Sequence, residues 1–200
     1  MGISIDAGIL AGGLSTRMHG KDKGLQLLNG QAMAQSVYLA LLPHVNTLYI
    51  NCNRNQDTYR LICPNICSDT LEGFQGPLAG LVSLMEVSNA DYLLISPCDT
   101  PYISDVFGSN MLKALDNALK NSSHTRPLLF AVKTAEHHHP LHMLVSTQFL
   151  PDLKLAVSQG LRRVMQWVNN NNVQWVDFSD QCDAFSNFNS PEALLNAAKT

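Results

Sequence analysis

Short apolar runs alternate with stretches of helical spacing along most of the chain. Residues 4–10 are mainly apolar and lead into Gly12 and Gly13, which reads as a strand opening into a loop. Residues 31–42 carry apolar positions at helical spacing and stop at Pro43, whose ring cannot continue a helix. Residues 45–51 form a β-branched, apolar second strand, and residues 77–87 read as a helix with proline in its first turn. A buried-type strand over 92–96 ends at Pro97. Residues 105–120 predict a helix with Lys113 and Lys120 towards its end. Strands over 128–132 and 141–145, a helix over 161–168, a strand over 173–178 and a helix over 191–198 complete the series. This β-α-β-α order predicts an α/β fold, a mainly parallel central sheet with helices on both faces. The polar stretch 121–126 and the four asparagines 169–172 are too short to be domain linkers, and there is no internal repeat. Residues 1–200 therefore read as one domain.

Composition narrows the class of protein. With 46% apolar and 14% charged residues the chain reads as an ordinary folded domain rather than a disordered one. A formal charge of -3 supplies no basic field, so nucleic acid is not an expected partner and any phosphate must be held by local groups. The five cysteines are an odd number and predict reduced thiols. Cys63 and Cys67 are spaced as C-x3-C, but no second pair stands at a matching spacing for zinc. No signal-peptide pattern and no apolar stretch of membrane-spanning length is present, so the expected location is cytoplasmic, with no membrane partner.

In open parallel sheets ligands bind at the carboxyl ends of the strands. The segments that follow the predicted strands are Leu10-Ala11-Gly12-Gly13, Asn51-Cys52-Asn53 and Pro97-Cys98-Asp99. Gly12 and Gly13 allow backbone N–H groups to approach a phosphate or a base, and Arg17, Lys21 and Lys23 bring positive charge to the same loop. It is not a Walker loop, since Ser15 stands where the first glycine is needed and Asp22 where the magnesium-binding hydroxyl is needed. Nor does Leu14-Ser15-Thr16-Arg17 complete a dinucleotide-binding fingerprint. On residue types alone, Asp99 reads equally as a turn or helix-capping aspartate and as a magnesium ligand.

The stretch Leu10, Ala11, Gly12, Gly13, Ser15, Arg17, Met18, Asp22, Lys23 resembles the signature L-A-G-G-x-S-x-R-M-G-x-D-K of the molybdenum cofactor guanylyltransferase (MobA) family, departing from it at His19. Further blocks follow in the family's order. They are Asn51-x-Asn53-Arg54, then Asp69 ahead of Gly76-Pro77-Leu78-Ala79-Gly80, then Pro97-Cys98-Asp99-Thr100-Pro101. After these come His139-Pro140-Leu141, Arg162-Arg163-Val164 and Phe185-x-Asn187-x-Asn189-Ser190-Pro191-Glu192. Ordered blocks from residue 10 to residue 192 are far more specific than one glycine loop.

The resemblance implies a Rossmann-like nucleotidyltransferase fold, with the nucleotide mainly on the N-terminal part and molybdopterin mainly on the C-terminal part. It implies transfer of GMP from GTP to the terminal phosphate of the molybdenum cofactor, with release of pyrophosphate. Mg²⁺ would be held by Asp99, and Arg17, Lys23 and Asp99 would be the catalytic groups. GTP would meet Leu10, Ala11, Gly12, Gly13, Lys23, Asn51, Asp69, Pro77, Leu78, Gly80 and Asp99, with Asp69 touching either base or ribose. Molybdopterin would meet Arg162, Arg163, Asn187 and Asn189. Cofactor-biosynthesis proteins and molybdoenzyme chaperones are the implied protein partners. The rival readings are a cytidylyltransferase or sugar-phosphate nucleotidyltransferase on the same fold, and a non-catalytic nucleotide-binding adaptor. The histidines 137, 138, 139 and 142 lack an H-E-x-x-H pattern and read as a hairpin turn with solvated imidazoles.

Overall fold

The first apolar run becomes strand β1 (Ile5–Leu10) at the centre of the sheet in the computed structural model, which describes residues 2–13, 22–71, 76–121 and 127–188. The expected helix over 191–198 and the glycine loop between Gly13 and Asp22 lie outside the described residues. A two-residue hairpin, β2 (Leu27–Leu28) and β3 (Gln31–Ala32), leads into helix α1 (Met33–Leu41). Strand β4 (Leu48–Asn51), helix α2 (Gln56–Arg60) and strand β5 (Ile66–Cys67) follow. Helix α3 (Pro77–Val87) returns the chain to β6 (Tyr92–Pro97), and α4 (Asp105–Asn121) leads on to β7 (Leu129–Lys133) and β8 (His138–Ser146). Helices α5 (Leu150–Ser158) and α6 (Val164–Asn170) and strand β9 (Gln174–Asp177) close the series.

These strands form a seven-stranded sheet in the order β5-β4-β1-β6-β8-β7-β9, apart from the β2–β3 hairpin. Only β8 opposes its neighbours; β4, β5 and β6 run parallel with β1, and β9 with β7. The mainly parallel sheet is as the alternation of elements predicts. Side chains alternate across it. Ala7, Ile9, Ile50, Leu94 and Leu144 pack with α1 and α4 on one face. Leu93, Ile95, Met143 and Val145 pack with α3, α5 and α6 on the other. From β1 the chain moves outward to β4 on one side, then crosses back to β6 on the other. The carboxyl ends of β1 and β6 therefore flank a topological switch point, where an open α/β sheet leaves a crevice.

Two differences from the pattern read off the chain bear on the site. Helix α5 was not expected, although Pro151 stands in its first turn and Leu153 and Val157 face the core at i,i+4 spacing. The expected helix over 161–168 begins three residues late. Gly160 takes a positive φ of 90° after α5, and the Arg162 guanidinium donates to Val157 O and Leu161 O at 2.9 Å. The Arg162 side chain is thus engaged by the carbonyls of Val157 in α5 and of Leu161 just after it, ahead of the next helix. Asp152 on α5 accepts from Trp167 Nε1 at 3.0 Å and fixes α6 against it.

Candidate active site

A cleft of about 700 Å³ opens at this switch point. The turn after β1 and the turn after β6 meet in it. Cys98 N donates to Leu10 O at 3.1 Å, which ties the two turns together behind their exposed tips. Lys23 stands beside them, and its Nζ lies 3.3 Å from Asp99 Oδ2. Both side chains are mostly buried, at 23% and 14% exposure, so this pair is less screened by solvent than a surface ion pair. Burial pushes the thiol of Cys98, next to Asp99, above its ordinary range, which makes it an inert core group rather than a nucleophile.

Lys23 is aimed by its neighbour. The Asp22 carboxylate is buried, accepts from Tyr59 OH at 2.6 Å and from Asn55 Nδ2 at 2.9 Å, and stands 3.6 Å from Arg54 Nε. Asp22 O accepts from Gln26 Nε2 at 2.9 Å. The end of the glycine loop is therefore fastened to α2 through charge-assisted hydrogen bonds. Burial is the first cause of the raised pKa of the Tyr59 phenol, which stays a donor to Asp22.

A second polar network lies at the other side of β1. The Asn51 side chain is buried, and its Nδ2 donates to Asp69 Oδ1 at 3.0 Å. Asn53 Nδ2 donates to Asp69 Oδ2 at 2.8 Å and to Gly12 O at 3.1 Å, while Asp69 N donates to Asn53 Oδ1 at 2.9 Å. Each oxygen of Asp69 thus has one fixed partner and capacity for another. The fit around Asn51 needs glycine at two places. A Cβ at Gly12 would stand 2.8 Å from Asn51 Oδ1, and one at Gly80 would stand 2.6 Å from the same atom.

The far side of the cleft is formed by His138–Leu141 at the start of β8, by Arg163, Val164 and Met165, and by Asn187. Phe188 N donates to Asp99 O at 3.0 Å, so the segment carrying Asn187 is bonded to the Asp99 turn.

Most of the residues singled out in the sequence meet in this one cleft. Leu10, Ala11, Gly12, Gly13, Lys23, Asn51, Asp69, Pro77, Gly80 and Asp99 line it, as do Arg163 and Asn187. Leu78 does not, since its side chain is fully buried under α3. Arg162 is turned away to the end of α5. Arg17 and Asn189 lie outside the described residues. Asn53, Val164, Met165 and the β8 histidines were not anticipated as lining or supporting groups. The signal for Asn53 was its place in the Asn51-x-Asn53 block after a strand.

The histidine cluster needs a correction. The hairpin tip is as expected, with Thr134 N donating to His137 O at 2.8 Å and His137 and His138 exposed. His142, however, is not solvated. Strand β8 starts at His138 and runs into the middle of the sheet, which carries His142 among Phe107, Phe185 and His139. Burial, with a smaller push from His139, lowers its imidazole to about 3, so it is neutral at physiological pH.

The sequence and the sheet topology have counterparts among known proteins. The MobA-like NTP transferase domain matches residues 7–173. A molybdenum cofactor guanylyltransferase of Haemophilus influenzae is 38% identical over 194 residues, covering 97% of each chain. One of Shewanella amazonensis is 35% identical over 199 residues, covering 100% of this chain and 98% of that one. The crystal structure of molybdopterin-guanine dinucleotide biosynthesis protein A from Archaeoglobus fulgidus superimposes with a TM-score of 0.76 at 19% identity over 97% of both chains, a likeness of fold. The protein is thus an enzyme of the nucleotidyltransferase class. Within that class the chain belongs to the MobA-like NTP transferase family, and the relatives just described carry the name molybdenum cofactor guanylyltransferase.

Proposed function

We propose that the protein transfers GMP from GTP to the terminal phosphate of molybdopterin-type molybdenum cofactor, releasing pyrophosphate. The observation that carries this reading is the Lys23–Asp99 pair. It sits in one cleft with the Asn51–Asn53–Asp69 network on one side and Arg163 and Asn187 on the other. In this reading Asp69, held by two amides, accepts from the donor edge of guanine or from ribose, and Gly12 and Gly13 let backbone N–H groups reach the phosphates. Arg163 and Asn187 receive the molybdopterin phosphate from the opposite wall. An oxygen of that phosphate attacks the α-phosphorus of GTP, the bond from the α-phosphorus to the bridging oxygen breaks, and pyrophosphate carries the electron pair away. A phosphate nucleophile is already ionised at neutral pH, so the chain needs no general base. Its work is alignment and stabilisation of developing charge, with Lys23 and Arg17 on the triphosphate.

A divalent metal is expected of this type of enzyme, and the residues fit Mg²⁺. Asp99 offers a hard carboxylate at the cleft, and no cluster of three His, Cys, Asp or Glu residues that could cage an ion is present among the described residues. That donor set suits an ion that takes one or two protein carboxylates and completes its shell with phosphates and water. When bound, Mg²⁺ supplies charge neutralisation to the triphosphate.

The test is calorimetric titration with GTP, CTP, ATP and UTP, with and without Mg²⁺, followed by a pyrophosphate-release assay with molybdopterin. Selective, Mg²⁺-enhanced GTP binding with acceptor-dependent pyrophosphate release is the expected result. A preference for CTP would overturn the guanylyl assignment, and a folded protein that binds no nucleotide would overturn the reading altogether. No described helix is long and apolar enough to cross a membrane.

A further inference from the structure

His142 borders the floor of the cleft, yet it is 2% exposed and bonded to the turn that carries Asp99. Its Nε2 lies 3.0 Å from Thr100 Oγ1, and Thr100, fully buried, donates to Pro97 O at 3.3 Å. The hydroxyl has one proton. With that proton on Pro97 O, Nε2 must carry the ring proton and donate to Thr100. Nδ1 then remains a bare acceptor, and it has no hydrogen-bond partner among the described residues. The opposite tautomer would bury an unpaired N–H, the costlier choice. The chain of bonds is therefore His142 Nε2–H to Thr100 Oγ1–H to Pro97 O, closing the turn of Pro97, Cys98, Asp99 and Thr100 from beneath. Phe107 and Phe185 meet the imidazole edge-to-face, with ring centroids at 5.8 and 5.0 Å, and hold its plane.

We propose that His142 is a positioning residue that sets the aim of the Asp99 carboxylate through Thr100, and so the strength with which the site takes a divalent cation beside a nucleoside triphosphate. The inference rests on the reading of Asp99 as the metal-facing group. A buried neutral imidazole suits the task, because it keeps a directional donor without adding charge next to the Lys23–Asp99 pair.

The experiment compares the full-length wild type with H142L, H142Q and T100V. GTP affinity is measured by calorimetry in Mg²⁺ and in EDTA, and folding is followed by near-ultraviolet circular dichroism. In wild type Mg²⁺ tightens GTP binding. H142L and T100V are expected to lose about tenfold of that tightening, the usual effect of removing a group that orients a metal ligand, with a much smaller loss of affinity in EDTA. H142Q, whose amide can donate to Thr100, is expected to recover most of it. T100V, close in shape to threonine, carries the test if H142L does not fold. Unchanged tightening in the folded variants, or an equal loss in EDTA, overturns the positioning role. If the wild type shows no tightening, the metal reading of Asp99 falls and the role of His142 falls with it. Nucleotide selectivity and pyrophosphate release still judge the proposed reaction separately.

Discussion

Lys23 Nζ and Asp99 Oδ2 stand 3.3 Å apart across the mouth of the cleft, although 76 residues separate them in the chain. An ammonium and a carboxylate this close, on turns after different strands, hold each other ready for a ligand that carries both phosphate and metal. Asp99→Ala removes the carboxylate and leaves Lys23 without this partner. Turnover is expected to fall by about 10²–10³ or more, the cost of losing a main electrostatic group. Steady-state pyrophosphate release measures it, and a loss of only a few-fold would take Asp99 out of the metal site.

Gly80→Ala tests the wall on the opposite side. The new methyl would stand 2.6 Å from Asn51 Oδ1 and 2.8 Å from Leu10 Cδ2, so the amide has to move and its bond to Asp69 loosens. The expected result is a rise of about tenfold in the KM for GTP with kcat little changed, as when binding shared by ground and transition states is lost. A fall in kcat at constant KM would place Asn51 and Asp69 in the chemical step instead.

Tyr59→Phe removes one of the hydrogen bonds that anchor Asp22. Because the acceptor is a buried carboxylate and the bond is 2.6 Å long, unfolding free energy is expected to drop by about 1.5–3 kcal/mol. Urea denaturation gives the figure. Since Asp22 aims Lys23, the same variant is expected to weaken triphosphate binding more than binding of guanosine.

The buried imidazole of His142 gives stability a defined pH dependence. Its folded-state pKa is lowered to about 3, against 6.5 for the free side chain. Between these values the unfolded chain binds a proton there and the native state does not, so stability falls as pH drops below about 6.5 and this loss levels off near 3. The slope approaches about 1.4 kcal/mol per pH unit from this group. His139, lowered mainly by burial, adds in the same direction. Urea midpoints of wild type and H142L measured from pH 7.5 to 4 are expected to converge as pH falls, because the variant has lost that proton-binding difference. Parallel curves would show that His142 binds its proton equally well in the folded and unfolded chains.

Much of this architecture was legible along the chain because the relevant signals are local. Helix α3 was read at its observed bounds from a proline in the first turn and a continuous apolar run, and β6 from a short apolar run ending at Pro97. The segments behind β1, β4 and β6 could be placed at one sheet edge because parallel strands put all their carboxyl ends together. Gly12, Lys23, Asn51, Asp69 and Asp99 therefore gather in the cleft, as the order of motifs implied.

What only the tertiary structure decided is how each side chain is employed once it arrives. Adjacent arginines are equivalent as residues, but Arg162 is taken by the carbonyls of Val157 and Leu161 and Arg163 lines the cleft. Four histidines share one stretch, and the depth at which β8 enters the sheet leaves His138 in solvent and sends His142 into the core against Thr100. Local sequence determines backbone preference and the kind of chemistry at hand. Burial, hydrogen-bond partners and charge state depend on groups brought from distant parts of the chain by packing, and no pattern along the sequence carries them.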